Sequence, residues 1–199
     1  MDELIAALRA GRAALFPTDT VYGLVSLPSE EAVAGLYALK GRRPEQPTAL
    51  LAARPDQLTA AIPELDPGRL VRGPYTLVLP NPARRYPWLA GTRPDAIGVR
   101  LPDLSPEATA VLEAVGCVAA TSANDPGGPD PLTLDDVPER LREACPALDD
   151  GPLKGVPSTV VDLTGAQPRI LREGAVPAAE AIARLQYDPG HGHRAPDVR

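Results

Sequence analysis

Three short apolar runs flanked by small polar side chains constrain the fold of this 199-residue chain more than any other feature. They cover residues 13–24, 117–124 and 158–164, and each combines β-prone residues with threonine, serine or asparagine. Segments with apolar residues at helical spacing lie between them. Polar residues at the carboxyl edge of such strands often bind a ligand in open α/β sheets. We therefore expect these polar ends to belong to one site.

The whole chain alternates between strand-like and helix-like patterns. Predicted helices cover residues 2–10, 29–41, 56–62, 64–72, 106–115, 133–143 and 177–186. Predicted strands cover residues 13–17, 48–53, 75–79, 96–101, 117–121, 158–163 and 168–172. Because two strands follow one another near the end, an α/β fold with a mixed sheet is favoured. The length predicts one domain over residues 1–186, and the Pro/Gly-rich residues 187–199 are expected to form a disordered tail.

Composition excludes several classes of protein. A net charge of -6 argues against a surface devoted to a polyanion, although a local basic groove remains compatible with it. No apolar run is long enough to span a membrane, and the first residues lack the basic-then-apolar pattern of a secretory signal, so we expect a cytoplasmic protein with no membrane contact. Cys117 and Cys145 form no metal or disulfide motif and are expected to be buried thiols.

Both histidines, His191 and His193, fall in the predicted tail. The predicted domain therefore has no imidazole for a Ser-His-Asp or Cys-His nucleophile or for a His-ligated zinc. We expect no metal site built from protein ligands. Any catalysis has to rest on charge and positioning.

Cations at the end of the second predicted helix are the first candidates for a site. Residues 40–43 (KGRR) place three cations within four positions, which suits a phosphate clamp. The same placement also suits a helix carboxyl end, where cations interact favourably with the dipole. Arg100 and Arg172 each end a predicted strand and are either carboxylate-binding or surface residues. No glycine-rich phosphate loop is present.

Several motifs, in order, resemble the signatures of the YrdC-like family. They are residues 17–24 (PTDTVYGL), 40–42 (KGR) with Pro47, 121–124 (TSAN) with Gly127, 158–162 (STVVD) and 172–174 (REG). The resemblance extends over roughly residues 10–178. It implies a twisted, open mixed sheet flanked by helices around a large cavity.

The resemblance also implies an activity. Members of the family make threonylcarbamoyl-AMP and pyrophosphate from L-threonine, bicarbonate and ATP, for the threonylcarbamoyladenosine of tRNA. This is a nucleotidyltransferase reaction, in which Mg2+ is expected to accompany ATP and to be held mainly by its phosphates, with Asp19 or Asp162 no closer than its outer coordination sphere. Residue by residue, ATP would be bound by Lys40, Arg42, Thr76, Ser122, Asn124 and Arg172, and threonine by Thr20, Arg100, Thr121 and Ser158. Lys40 and Arg42 would also be the catalytic cations. Transient contact with tRNA or with the downstream transferase is a further implied partner.

Three alternatives stay open at this point. The chain departs from the family pattern at Val71, where tryptophan is usual, and at Pro126, where serine is usual, so a non-catalytic paralogue is one alternative. An RNA-binding module is the second, although one Trp, one Phe and five Tyr leave few rings for stacking. The third is a carbamoyl-transfer module of hydrogenase maturation.

Overall fold

A computed structural model describes residues 1–186 and shows one mixed β-sheet of eight strands in that part of the chain. The strands are β1 (Ala14–Pro17), β2 (Tyr22–Ser26), β3 (Ala49–Leu51), β4 (Tyr75–Pro80), β5 (Ala96–Arg100), β6 (Val118–Ser122), β7 (Thr159–Asp162) and β8 (Arg169–Arg172). Their order across the sheet is β1-β2-β6-β3-β5-β4-β7-β8. The pairs β3–β5 and β4–β7 are parallel and the other five are antiparallel. The predicted mixed α/β fold is confirmed.

Six α-helices accompany the sheet in residues 1–186. They are α1 (Asp2–Arg9), α2 (Glu30–Lys40), α3 (Pro55–Ala61), α4 (Pro106–Val115), α5 (Glu139–Ala144) and α6 (Ala178–Leu185). The bounds of α2 show why local sequence predicts some elements well. The hydroxyl of Ser29 accepts a hydrogen bond from the Ala32 amide, and Gly41 ends the helix in the left-handed conformation at φ 66°. None of the helices in this range is long and apolar enough to cross a membrane.

The two faces of the sheet differ in what covers them. In β4, Tyr75, Leu77 and Leu79 are buried, whereas Thr76 and Val78 between them are only partly covered. The buried set joins the larger apolar cluster, which includes residues of α2, α3, α5 and α6. Alternate residues point to the opposite face, where a smaller cluster packs α1 and α4 over β1, β2, β3 and β6. The rest of that face is open.

Strand β2 is missing from the sequence prediction, which passes from the threonine-rich turn to the helix at Ser29. All five residues of β2 are buried, so the segment has no alternation to mark it as a strand. Gly23 inside it also weakens the strand signal. The other predicted strands agree with the structure to within two residues at either end.

Two predicted helices are wrong. Residues 64–72 form only a single 3-10 turn, Pro67–Arg69, which the Asp66 carboxylate caps through the Gly68 amide at 2.9 Å. The predicted helix over 133–143 is interrupted at Pro138, so that a 3-10 turn, Leu134–Asp136, precedes α5. The capping box at Thr133 exists, but it caps the turn rather than the helix. The predicted tail, residues 187–199, lies outside the described residues.

Candidate functional site

A cavity of about 540 Å³ lies against the open face of the sheet. Its floor consists of small residues on neighbouring strands, namely Ala49, Ala96, Gly98 and Ala120. A Cβ added at Gly98 would lie 3.4 Å from the Cβ of Ala49, so these two residues lie side by side in the floor. The volume is in the usual range for a small-molecule site. Short side chains on this face therefore create the cavity.

Most of the predicted site residues line this cavity. They are Thr20, Arg42, Thr76, Arg100, Thr121, Ser122, Ser158 and Arg172. Strand alternation, however, assigns the side chain of Thr121 to the face opposite Ser122. Lys40 and Asn124 do not line the cavity but lie behind Ser122. The structure thus gathers residues from distant parts of the chain at one place, and their binding roles stay predictions.

The three polar runs of the sequence do meet here, but not all at carboxyl edges. Thr18 and Thr20 follow β1 and Ser122 ends β6, as expected. Ser158, in contrast, precedes β7 and stands at its amino end. The expectation of carboxyl edges is wrong for this third run, because the cavity lies on a face of a mixed sheet rather than at one edge of a parallel one.

Arg100 and Asp19 form a buried ion pair at one end of the cavity. Nη2 of Arg100 donates to Asp19 Oδ1 at 2.8 Å and to Thr20 Oγ1 at 3.2 Å. Burial raises the pKa of Asp19 despite the opposing charge of Arg100, and burial likewise lowers the pKa of Arg100. The Nε of Arg100 is buried and has no hydrogen-bond partner within residues 1–186. A buried donor without a partner is costly, so the ion pair with Asp19 is held under an energetic penalty.

A turn built by Thr18 holds Thr20 beside Arg100. The hydroxyl of Thr18 accepts from the amides of Thr20 and Val21, both at 3.2 Å, and donates to the Val21 carbonyl at 2.7 Å. It also lies 2.9 Å from the hydroxyl of Thr20. The turn thereby fixes a second hydroxyl at the Arg100 end of the cavity.

The hydroxyl of Thr76 in β4, the hydroxyl of Ser158 just before β7 and the guanidinium of Arg172 in β8 meet on another wall. Thr76 Oγ1 and Ser158 Oγ lie 2.8 Å apart, and the guanidinium of Arg172 donates to the Ser158 carbonyl at 2.8 Å and to its hydroxyl at 3.2 Å. Gly174 packs so closely behind this group that an added Cβ would lie 2.1 Å from the Pro157 carbonyl oxygen. The position of Ser158 therefore depends on the absence of a side chain at 174.

Arg42 lies on the loop after α2 and is oriented by its own neighbours. Its Nε donates to Thr48 Oγ1 at 3.2 Å and its Nη2 to the Pro47 carbonyl at 2.6 Å. Tyr37 in turn donates to Thr48 Oγ1 at 2.9 Å. Arg43, the next residue, is exposed and does not line the cavity. Of these two adjacent arginines, the structure brings only Arg42 to the cavity wall.

Lys40 is buried at the end of α2 and only 4% exposed. Its Nζ donates to the backbone carbonyl and to the side-chain oxygen of Asn124, and the same side-chain oxygen accepts from Ser122 Oγ at 2.7 Å. Burial, and next the charge of Arg42, lower the pKa of Lys40 to about 8. Lys40 is thus a cation that burial destabilises, and the side chain of Asn124 separates it from Ser122 at the cavity. It is not the exposed helix cap that its position in the sequence also allowed.

Sequence analysis missed several residues that line the cavity, chiefly Arg93, Thr48 and Asp130. Arg93 lies in the turn before β5, where it donates to Asp162 at 2.8 Å and to Thr164 at 3.0 Å. Burial is the largest single influence on the pKa of Asp162 and acts to raise it. Hydrogen bonds from Thr164 and Arg93 together outweigh burial and lower this pKa to about 2. No local pattern marks Arg93, because its partners are about seventy residues away.

A mixed sheet with a cavity lined by arginines and hydroxyls is the architecture of an α/β protein whose site is suited to anionic small molecules. Residues 6–174 match a family model, Sua5_yciO_yrdC, described as "Telomere recombination". The chain therefore belongs to the Sua5/YciO/YrdC family, and the resemblance seen in the sequence is confirmed.

Individual relatives agree with this assignment. A Chromohalobacter salexigens protein named threonylcarbamoyl-AMP synthase is 34% identical over 174 residues, which cover 83% of this chain and 93% of that protein. The structure of Pyrococcus abyssi Sua5 complexed with L-threonine superposes with a TM-score of 0.81 at 32% identity, covering 92% of this chain but 56% of the archaeal one. Escherichia coli YciO gives a TM-score of 0.75 at 26% identity, with 87% and 88% covered.

Proposed function

We propose that the protein is a threonylcarbamoyl-AMP synthase, a nucleotidyltransferase that converts L-threonine, bicarbonate and ATP into threonylcarbamoyl-AMP, pyrophosphate and water. The observation that carries the proposal is the convergence of eight predicted binding residues on one cavity. The product would feed the synthesis of threonylcarbamoyladenosine in tRNA. The protein would hand on this product through transient contact with tRNA or with the downstream transferase.

Threonine binds at the Arg100 end of the cavity in this proposal. The guanidinium of Arg100 binds the carboxylate, the hydroxyls of Thr20 and Ser158 contact the rest of the amino acid, and Thr121 contributes its main chain. Because Asp19 holds the guanidinium through Nη2, the arginine keeps a fixed orientation while it binds. A carboxylate is the ligand that best satisfies a buried guanidinium donor.

ATP occupies the wall formed by Arg42, Thr76, Ser122 and Arg172, with Lys40 and Asn124 behind it. Bicarbonate takes up a proton and gives carbon dioxide and water. The amine of threonine adds to the carbon dioxide and loses a proton, and an oxygen of the resulting carbamate attacks the α-phosphorus as pyrophosphate leaves. The carbamate is already anionic, so the step needs no protein nucleophile. Lys40 and Arg42 stabilise the charge that develops on the phosphate oxygens and position the triphosphate.

Mg2+ fits this site as a companion of the triphosphate. Within residues 1–186 no group of three or more acidic, histidine or cysteine side chains could hold a metal ion. The carboxylates of Asp19 and Asp162 are engaged by Arg100 and Arg93. Such a site suits an ion that keeps most of its oxygen ligands from phosphates and water, and the ion would supply charge neutralisation on the phosphates.

Pyrophosphate release measured with purified protein, ATP, Mg2+, L-threonine and bicarbonate tests the proposal. Release should require both threonine and bicarbonate, and mass spectrometry should detect the threonylcarbamoyl adenylate. Arg42→Gln should lower turnover by about 10²-fold or more, by analogy with the loss of one transition-state donor. Arg43→Gln is the matched control and should stay within about twofold of the wild type. Pyrophosphate release that ignores threonine, or equal losses in the two variants, would contradict the proposal.

A further inference from the structure

Arg93 stands between two pockets and belongs to both. It lines the main cavity together with Arg42, and it also lines an outer pocket of about 400 Å³ formed with Asp162, Thr164 and Arg169. Its side chain is 42% exposed, so part of it stays accessible despite the ion pair with Asp162. Within residues 1–186 its hydrogen bonds to Asp162 and Thr164 engage one N–H each of Nη1 and Nη2. Since a guanidinium carries five N–H donors, three remain for a ligand.

The loop that carries Arg93 packs directly on the loop that carries Arg42. Gly91 adopts φ +60°, and a Cβ added there would lie 2.5 Å from the Glu45 carbonyl oxygen and 3.0 Å from the Pro47 nitrogen. Arg42 in turn donates to the Pro47 carbonyl. The two arginines therefore come from adjoining loops at the same end of the cavity, away from the end where Asp19 neutralises Arg100.

A buried carboxylate fixes the orientation of Arg93. Asp162 accepts from the amide and the hydroxyl of Thr164 at 2.9 and 2.6 Å as well as from Arg93, and its side chain is only 7% exposed. Arg169 approaches the same carboxylate at 3.5 Å from the outer side. Asp95 also acts electrostatically on Arg93, so the two arginines are balanced by two carboxylates, and the spare N–H groups of Arg93 rather than excess charge favour a ligand here. A charged donor with a fixed orientation and spare N–H groups is suited to phosphate oxygens.

We propose that Arg93 is a substrate-binding residue that holds the pyrophosphate part of ATP, and the pyrophosphate product, at the Arg42 end of the cavity. Asp162 is its positioning residue, because it holds the guanidinium without reaching the ligand. This inference rests on the proposed use of ATP. It adds a cation to the phosphate wall that the sequence motifs do not include.

Isothermal titration calorimetry with inorganic pyrophosphate and with AMP, in Mg2+-containing buffer and without threonine, tests the assignment. Arg93→Gln should weaken pyrophosphate binding about tenfold and leave AMP binding within about twofold, because AMP lacks the two outer phosphates. Arg169→Gln is the matched control, since it removes a cation from the same carboxylate but not from the cavity, and its pyrophosphate affinity should stay within about twofold. Arg93→Lys keeps the charge without the planar fork and should give an intermediate loss.

Four results would overturn the assignment. They are a wild-type protein that does not bind pyrophosphate, unchanged pyrophosphate affinity in Arg93→Gln, an equal loss in Arg169→Gln, and an equal loss for AMP. Thermal unfolding of each variant shows whether it is correctly folded. If Arg93→Gln has a folding defect, the pyrophosphate affinity of Arg93→Lys is compared with the wild type instead. Binding is measured without turnover, so an Arg93-dependent pyrophosphate site would support this assignment even if synthase activity were absent.

Discussion

Replacement of Lys40 by methionine offers a thermodynamic test of the buried cation behind Ser122. In the folded protein the pKa of Lys40 is lowered from 10.5 to about 8, chiefly by burial. Below pH 8 both folded and unfolded chains carry the proton, and folding has to desolvate the charge. Between pH 8 and 10.5 the unfolded chain binds a proton that the folded protein does not, so the stability that Lys40 contributes rises with pH.

The size of the effect follows from the shift. At 1.36 kcal/mol for each pKa unit, integration from pH 7 to pH 10 gives a gain of about 2.5 kcal/mol for the wild type relative to Lys40→Met. The hydrogen bonds to Asn124 that methionine lacks add an offset that is nearly independent of pH. The difference in stability between the two proteins should therefore change by about 2.5 kcal/mol in favour of the wild type as the pH rises from 7 to 10, while Lys40→Met loses most synthase activity.

Urea unfolding of both proteins at intervals between pH 7 and 10 measures this difference. Titrations of tyrosines and cysteines cancel in it, because both proteins share them. Lys154, an exposed lysine, provides the control: Lys154→Met should show a flat difference from the wild type over the same range. A flat difference for Lys40→Met as well would refute the account of Lys40 as a desolvated cation.

Two further predictions concern the cavity itself. Arg100→Lys keeps the charge beside Asp19 but loses the planar fork of the guanidinium. In steady-state assays the KM for threonine should rise about tenfold or more, while the KM for ATP changes little. Equal rises in the two KM values would show that Arg100 does not bind the carboxylate. Gly98→Val adds a branched side chain to the cavity floor. Calorimetry should show that the variant no longer binds either substrate, while its circular dichroism spectrum stays that of the wild type. Normal affinities would mean that the substrates bind elsewhere.

The sequence predicts those parts of the fold whose signals are local. Ser29 and Gly41 bracket α2 because a hydroxyl cap and a left-handed glycine are properties of a few adjacent residues. The predicted helix over 133–143 is wrong because the capping box at Thr133 is a local signal that does not include Pro138, five residues later. Strand β2 fails for another reason: complete burial removes the alternation on which a strand prediction depends.

The residues of the candidate site also divide into those that local sequence predicts and those that it does not. Residues inside contiguous motifs, such as Thr20 and Ser122, were found, and they lie at the cavity. The sequence also predicts Lys40 as a site residue, but it does not predict that Lys40 is buried behind Ser122. This burial depends on Asn124, which follows a different strand. Arg93 was missed altogether, since its importance comes from Asp162 across the sheet. Tertiary contacts of this kind have no counterpart in a pattern along one segment.

The tight contact behind Gly174 makes that position sensitive to substitution although Gly174 does not line the cavity. Even alanine there would collide with the backbone at Pro157 and Ser158, and the displacement would pass to the hydroxyl and the guanidinium that meet at Ser158. A random-mutagenesis screen for inactive enzyme should therefore recover substitutions at 174 alongside those of substrate-contacting residues. Such alleles would disable the enzyme through main-chain displacement alone, with every polar group of the pocket still chemically intact.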